Sequence, residues 1–247
     1  MSNKELDASS LERTIRYYNE TAKRYDDLHG DQLEKEHSRA LELLIPPFFS
    51  NAESVLDIGT GTGRSLQWMD AYYRSRGAYI QLNGIEPSKE LSHLAKLKVP
   101  SANIVTGAGE QLPFEDRAFD LVTITGVLHH VENPRQVMRE AFRVCRRGVI
   151  ISDHNNFSFG SNKVRRIKML LYSLNIMNAF SFVKQGFKKQ GYSEEDGWWY
   201  PYSLMNDIGF LSELSECFFI APTRRPNSKS GNILLSHSHI AIACIKG

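Results

Sequence analysis

The sequence predicts an α/β protein built on a mostly parallel sheet with helices on both faces. Two observations predict it. Short apolar runs alternate with helical patterns from about residue 54 to residue 152, and strands that alternate with helices imply right-handed crossovers and a parallel sheet. The first run ends in glycines, V-L-D-I-G-T-G-T-G at 55–63, which puts a loop at the carboxyl end of a strand, where open α/β sheets bind ligands.

The elements follow in order. Residues 11–28 carry Ile15, Tyr18, Ala22 and Tyr25 at a spacing that lays one stripe along a helix. A second helix covers 33–44 and stops before Pro46-Pro47. Strands are expected at 54–58, 80–85, 103–106, 119–125 and 148–152, with helices at about 64–75, 88–97 and 134–147 between them. In the last helix Asn133 suits the N-cap, Pro134 the first position, and Arg146-Arg147 followed by Gly148 the end. After residue 153 the alternation lapses. Residues 154–193 hold no Asp or Glu but seven Lys or Arg, around a helical pattern with Ile167, Leu170, Leu171, Leu174 and Met177 on one face. Two β-like runs, 217–220 and 239–245, close the chain.

With 247 residues, 41% of them hydrophobic, the chain can bury one core without disulfides or a metal. A net charge of +2 argues against a dedicated nucleic-acid binder. Cys145, Cys217 and Cys244 are odd in number and far apart, so neither a zinc-knuckle nor a disulfide framework is expected, and a reducing, cytoplasmic setting is. The first ten residues lack the apolar stretch of a signal peptide, and no run approaches the roughly 20 apolar residues of a membrane span.

The glycine loop fails two phosphate signatures. G-x-G-x-x-G breaks at Arg64 or Leu66, and no lysine follows for a phosphate loop. Asp57 precedes the glycines and Glu86 ends the next strand, about 20 residues on, where an acid meets ribose hydroxyls. Carboxylates accept hydroxyl hydrogen bonds and repel phosphate. The ligand suggested is a ribose-bearing molecule with no phosphate at the loop.

V-L-D-I-G-T-G-T-G, I-E-P-S, G-A-G-E-Q-L-P-F-E-D-R-A-F-D-L-V and G-V-L-H-H-V-E-N-P together resemble, in order and spacing, the class I S-adenosylmethionine-dependent methyltransferases. The match is nearest to the branch holding quinone C-methyltransferases and many small-molecule methyltransferases, and it covers about residues 11–155. The resemblance implies a Rossmann-like, seven-stranded, mostly parallel sheet flanked by helices, with a helical cap or lid, in a single domain over 1–247. Within it 1–45 would cap the cofactor, 46–155 form the cofactor-binding core, 156–202 supply an acceptor-binding lid and 203–247 complete the sheet. It implies S-adenosylmethionine as cofactor. Gly59, Gly61 and Gly63 would line its methionine and ribose, with Thr60 where the family often has Cys. Asp57 would sit beneath the loop near the methionine amino group, and Glu86, followed by Pro87, would bind the ribose. Gly109, Glu110 and Gln111 fall in the segment that edges the adenine, and Thr125 and Gly126 beside the reacting methyl. Where the family often places an Asp on the adenine amino group, this chain has Ala108. Tyr17 and Tyr25 stand where the family's cap closes on the cofactor; an ordinary amphipathic helix is the other reading.

Methyl transfer from a sulfonium is an in-line displacement, so alignment matters most, together with a base where the acceptor carries a proton. His129-His130 follow the fourth strand and Asp153-His154 the fifth, which places all four at the carboxyl edge near the methyl. His154 and His130 are the candidate bases. Because L-H-H recurs in the family whatever the acceptor, packing is the alternative for the first pair. Asp153 would orient His154, touch an acceptor or cap the next element. No ligand spacing such as H-x-x-x-H supports a metal.

Residues 155–202 would supply the acceptor pocket, with Trp198, Trp199 and Tyr202 contacting a ring or else anchoring the cap. The basic segment 163–189 reads as a solvated helix, as a peripheral contact with anionic lipid, or as an attractor for an anionic acceptor. The expected activity is S-adenosylmethionine-dependent methylation of a small molecule, first O-methylation of a sugar or glycan precursor. C- or O-methylation of a quinone-like or lipid acceptor at a membrane surface is the alternative. A non-catalytic cofactor-binding partner or activator is the alternative of another class, toward which Ala108 leans.

Overall fold

Val55 and Leu56, Leu121 and Val122, Ile150 and Ile151, and Ala241 and Ile242 are adjacent in sequence, point to opposite faces of one sheet, and are all buried. A strand apolar on both faces needs helices on both. The computed structural model, which describes residues 9–28, 30–174, 176, 190–224 and 232–247, supplies them. On one face lie α6 (Pro134–Val144) and α8 (Ile208–Leu214), with Val137, Met138, Ala141 and Leu211 in the core. On the other lie α3 (Gly30–Phe48) and α4 (Arg64–Arg74), with Leu41, Leu44, Ile45, Leu66, Met69 and Tyr73.

The sheet has seven strands: β1 (Ser54–Ile58), β2 (Gln81–Glu86), β3 (Asn103–Thr106), β4 (Phe119–Thr125), β5 (Cys145–His154), β8 (Cys217–Pro222) and β9 (His239–Ile245). Their order is β3-β2-β1-β4-β5-β9-β8. The first five are parallel, while β9 runs antiparallel to both β5 and β8. The order reverses between β1 and β4, so a crevice opens above their carboxyl ends. The short helix α5 (Lys89–Lys98) follows β2, with Ser88 accepting from the Leu91 N–H as its N-cap.

Three expectations are corrected. The N-terminal helix does not run unbroken over 11–28. It breaks into α1 (Ser10–Thr21), a single 3-10 turn at Ala22–Arg24, and α2 (Tyr25–Leu28), because the Thr21 hydroxyl donates to the Tyr17 carbonyl at 2.8 Å and competes with the helical ladder. Helix α3 does not stop before Pro46-Pro47 but carries both in its last turn. Ile45 and Phe49 are buried there, and the Phe49 N–H closes the turn on the Ile45 carbonyl at 2.8 Å. Helix α6 ends at Val144 rather than 147, and β5 starts at Cys145 through a register shift opposite Phe119. Gly148 is therefore a strand residue. A side chain there would meet the Phe49 ring at 2.8 Å and the Cys244 carbonyl, so close approach requires glycine.

Beyond β5 the chain forms α7 (Asn162–Ser173), a two-stranded antiparallel ribbon of β6 (Gly191–Ser193) and β7 (Gly197–Trp199), and the single-turn α9 (Ile233–Ser236). The described part of α7 inverts the expected amphipathicity. Arg165 and Lys168 are buried, with the Lys168 ammonium donating to the carbonyls of Asn156 (2.7 Å) and Phe159 (3.2 Å). Val164, Ile167 and Leu170 are exposed. Most of the rest of the 163–189 segment lies outside the described residues. No helix among the described residues is long and apolar enough to cross a membrane.

Candidate functional site

The loop after β1 turns on three left-handed glycines, Gly59 (φ 70°), Gly61 (φ 55°) and Gly63 (φ 85°). A side chain on Gly59 would collide with Val127, and one on Gly63 would press on the Ala95 backbone at 3.2 Å. Gly61 faces the Tyr25 ring instead, with room for a side chain only at ordinary contact, 3.5 Å from the phenol oxygen. Its N–H donates to Glu86 Oε2 at 2.9 Å, and the Ser88 N–H donates to Glu86 Oε1 at 2.9 Å. Each carboxylate oxygen keeps a lone pair free of these bonds. Burial drives the Glu86 carboxyl up to about 7 despite both donors. Asp57 lies beneath the loop, accepts from the Thr123 hydroxyl at 2.6 Å, and is likewise pushed up to about 7 by burial.

The N-terminal cap is latched to both loops. Asn19 accepts from the Ser88 hydroxyl at 2.8 Å. Asp26 accepts from the Thr62 hydroxyl (2.8 Å) and pairs with Arg64 (2.9 Å) and Lys98 (2.7 Å). Between these latches Tyr18 and Tyr25 reach over the crevice, their rings edge to face at 5.8 Å. Burial raises both phenols, so they stay protonated.

Two chambers result. One, of about 220 Å³, is lined by Glu86, Pro87, Leu91, Ala108, Gly109, Glu110 and Val127. The other, of about 340 Å³, is lined by Thr60, Ser65, Thr125, His129, Asp153, His154, Phe159, Asp196, Arg224 and His239. Tyr18, Tyr25, Gly59, Gly61, Gly126 and His130 line both and mark the junction. Fourteen residues were expected to hold the cofactor. Of these, Asp57, Gly63, Tyr17 and Gln111 line neither chamber. Gly63 packs on α5, Gln111 is exposed, and Tyr17 donates its hydroxyl to the Glu194 carbonyl at 2.8 Å. Its neighbour Tyr18 occupies the site instead. The stripe that singled out Tyr18 and Tyr25 already carried that signal.

The second chamber holds four imidazoles. His129 Nδ1 lies 2.8 Å from Asp153 Oδ1, and Asp153 also accepts from the Leu128 N–H (2.8 Å) and the His154 N–H (2.7 Å). The carboxylate expected to touch an acceptor is thus occupied in holding the turn. Burial opposes charge on His129, yet Asp153 and Asp196 draw its pKa up to about 10. Against their burial, His129 in turn holds both aspartates well below the usual carboxylate range, with His130 adding to its effect on Asp196. Burial and then the charged His129 push His154 down to about 4, so its ring is neutral at pH 7. Its ring stands 4.2 Å from His129 and 4.6 Å from His239.

The β6–β7 ribbon closes this chamber. Trp198 O takes the Nδ1 of His130 at 2.8 Å, and the Tyr200 N–H donates to the His129 carbonyl at 2.7 Å. Asp196, in the ribbon's turn, reaches His129 Nε2 at 3.4 Å and His130 Nε2 at 3.5 Å. The turn S-E-E-D-G, with Gly197 at φ 67°, is a hairpin signal that could have located Asp196 from the sequence. Trp198, Trp199 and Tyr202 line neither chamber. Tyr202 instead donates to Asp207 at 3.0 Å, and Trp198 lies under the Arg13 guanidinium at 5.2 Å.

The first chamber fits S-adenosylmethionine on this structure's own terms. The glycine backbone lines the space, a buried carboxylate with spare lone pairs faces it, and Ala108 leaves room where an adenine edge would lie. Residues 56–152 match a family model described as "Methyltransferase domain". A demethylmenaquinone methyltransferase of Thermotoga maritima is 26% identical over 146 residues, which are 58% of this chain and 61% of that protein. A ubiquinone/menaquinone biosynthesis C-methyltransferase of Campylobacter jejuni is 22% identical over 147 residues, 57% of this chain and 62% of that protein. The chain thus spans about three fifths of the length of these curated relatives. Among solved structures, a SAM-dependent methyltransferase of Thermotoga maritima superposes with a TM-score of 0.62 at 18% identity, over 97% of this chain and 100% of that one. The magnesium protoporphyrin IX methyltransferase of Synechocystis PCC 6803, solved with bound SAM, gives a TM-score of 0.57 at 15% identity, over 97% and 98%. Residues 56–152 thus match a methyltransferase domain, the four motifs resemble those of the class I S-adenosylmethionine-dependent methyltransferases, and the sheet shares the fold of the solved methyltransferases.

Proposed function

We propose that this chain methylates a hydroxyl of a small polar molecule held in the histidine-lined chamber, with His154 taking the hydroxyl proton. One observation carries the reading. His154 lines the chamber beside the junction, and its ring nitrogens make no hydrogen bond to a described residue, unlike those of His129 and His130. A base must have a nitrogen open to the proton it removes.

S-adenosylmethionine supplies an electrophilic methyl group on its sulfonium. The residues would do the positioning: Glu86 would accept the ribose hydroxyls, the Gly59–Gly61 backbone would admit close approach, and Gly126 at the junction with Thr125 on the acceptor side would flank the methyl. Tyr18 and Tyr25 close over it and exclude water. Ser193, Arg224 and His239 give the chamber polar walls, which suits a sugar or glycan precursor.

A second reading has a specific support. The relatives named above are quinone methyltransferases, and a hydroxylated ring could pack on Phe159, which stands edge to face with His154 at 5.9 Å. The exposed Val164, Ile167 and Leu170 beside Lys163 and Arg166 would then rest on anionic lipid. Both readings use the same base on a hydroxyl. The test is release of S-adenosylhomocysteine across free sugars, nucleotide-linked sugars, phenols and hydroquinones. Product with a hydroxylated acceptor, lost in His154→Gln, is the expected result; full cofactor binding with no product on any acceptor would contradict it.

A further inference from the structure

We propose that His129, His130 and Asp196 form a binding site for a divalent transition-metal ion of the zinc and cobalt type, in the wall of the acceptor chamber. One ligand atom from each of the three lies within 4.8 Å of the others. They come from distant parts of the chain: the turn after β4 supplies the imidazoles and the ribbon turn supplies the carboxylate.

The hydrogen bonds around the imidazoles fix which nitrogen is available. His129 Nδ1 faces Asp153 Oδ1 at 2.8 Å and His130 Nδ1 faces the Trp198 carbonyl at 2.8 Å. Both partners are acceptors, so Nδ1 carries a proton in each ring; an ion would displace the second proton that His129 holds between its two aspartates and coordinate through Nε2. Carboxylate or carbonyl support behind an imidazole is the arrangement that orients metal-binding histidines. Both Nε2 atoms face Asp196, at 3.4 and 3.5 Å. These separations are long for hydrogen bonds. Each is close to the edge of a tetrahedral site, where bonds of about 2.0–2.1 Å put neighbouring ligand atoms about 3.3–3.4 Å apart, with Oδ2 beside His129 and Oδ1 beside His130, so the carboxylate spans the two imidazoles.

A further observation points the same way. His129 is 4% exposed, and its Nε2 makes no hydrogen bond of ordinary geometry even though Asp196 is near. A buried imidazole nitrogen in that state calls for a partner. His130 Nε2 also takes the Tyr18 hydroxyl at 2.9 Å, so an ion would compete with that contact. A second trio, His129, Asp153 and His154, is less suited because Asp153 already accepts from three groups. The open side of the proposed site faces the 340 Å³ chamber. Where the proposed function holds, an ion there would polarise the acceptor hydroxyl as His154 removes its proton.

Titration of metal-stripped full-length protein with Co²⁺ tests the site through the visible absorption of the bound ion. We expect one equivalent to saturate a tetrahedral spectrum. His130→Gln and Asp196→Asn should abolish it, Asp153→Asn should weaken Co²⁺ binding about 10–100-fold, and the surface change Asp116→Asn should leave it unaltered. Absence of a Co²⁺ spectrum in the wild type, or a spectrum indifferent to His130→Gln and Asp196→Asn, overturns the proposal and leaves a protonated His129 between two aspartates. Titrating the same preparations with S-adenosylmethionine keeps the two ideas apart and reports that each variant is folded. Cofactor binding without Co²⁺ uptake removes the metal site alone. Co²⁺ uptake without cofactor binding supports the site and removes the proposed function.

Discussion

Apart from the cap residues, the glycine-loop chamber is drawn from one contiguous stretch, Ile58 to Val137, whereas the histidine chamber joins the ends of β4 and β5 to Ser193, Asp196, Arg224 and His239. Charge is handled differently in each. Around Glu86 burial prevails: two backbone donors do not keep the carboxyl from rising to about 7. Around Asp153 and Asp196 pairing prevails, and both stay ionised although buried. The first chamber keeps acceptor capacity for a neutral diol, and the second stores paired charge beside a neutral His154.

The largest effect that would break this contrast belongs to the histidine side. His154→Gln should lower kcat on the order of 10²–10⁴-fold, the usual worth of general acid–base catalysis, with cofactor affinity unchanged. An equal loss in both quantities, by single-turnover kinetics and calorimetry, would make His154 structural. On the glycine side, Gly59→Ala should cost about 1–3 kcal/mol of stability in denaturant titration, because φ is 70° and the new methyl meets Val127. Similar stability to the wild type would show that the loop can relax.

How much of this was legible in the sequence follows the same division. The glycine loop, Glu86 and the strands from Ser54 to Thr125 are local signals. An apolar strand, a left-handed turn and a carboxylate one strand away sit at spacings that backbone geometry imposes. Asp196 and His239 are not local. They reach His129 and His154 only because β9 inserts beside β5 and the ribbon docks on the L-H-H turn. The amphipathic pattern of α7 misled for a physical reason: the ends of nearby loops offer carbonyls, and Lys168 satisfies them better than an apolar side chain could. Tyr17 stands where the resemblance implies a cofactor contact, but only Tyr18 falls on the stripe and only Tyr18 lines the chambers.

Lys168→Met tests that inversion. It should cost about 1–3 kcal/mol, the penalty for leaving buried acceptors unpaired; a neutral or stabilising result would show that α7 can turn its apolar face inward. The smallest effect is in pH. Glu86 and Asp57 have folded pKa values raised to about 7, so the stability they contribute is complete below their unfolded values near 4. It declines as pH rises and is gone above about 7. Melting temperature should therefore fall over that interval, with a shallower slope in Glu86→Gln.

Glu86 is the proposed anchor of the cofactor's ribose at the glycine loop, and calorimetric titration of the full chain with S-adenosylmethionine tests this most directly. The prediction is saturable one-to-one binding that Glu86→Ala weakens by about 100-fold or more, since two charge-assisted hydrogen bonds of about 1.5–3 kcal/mol each are lost. No saturable binding by the wild type, or equal affinity in Glu86→Ala, would contradict it.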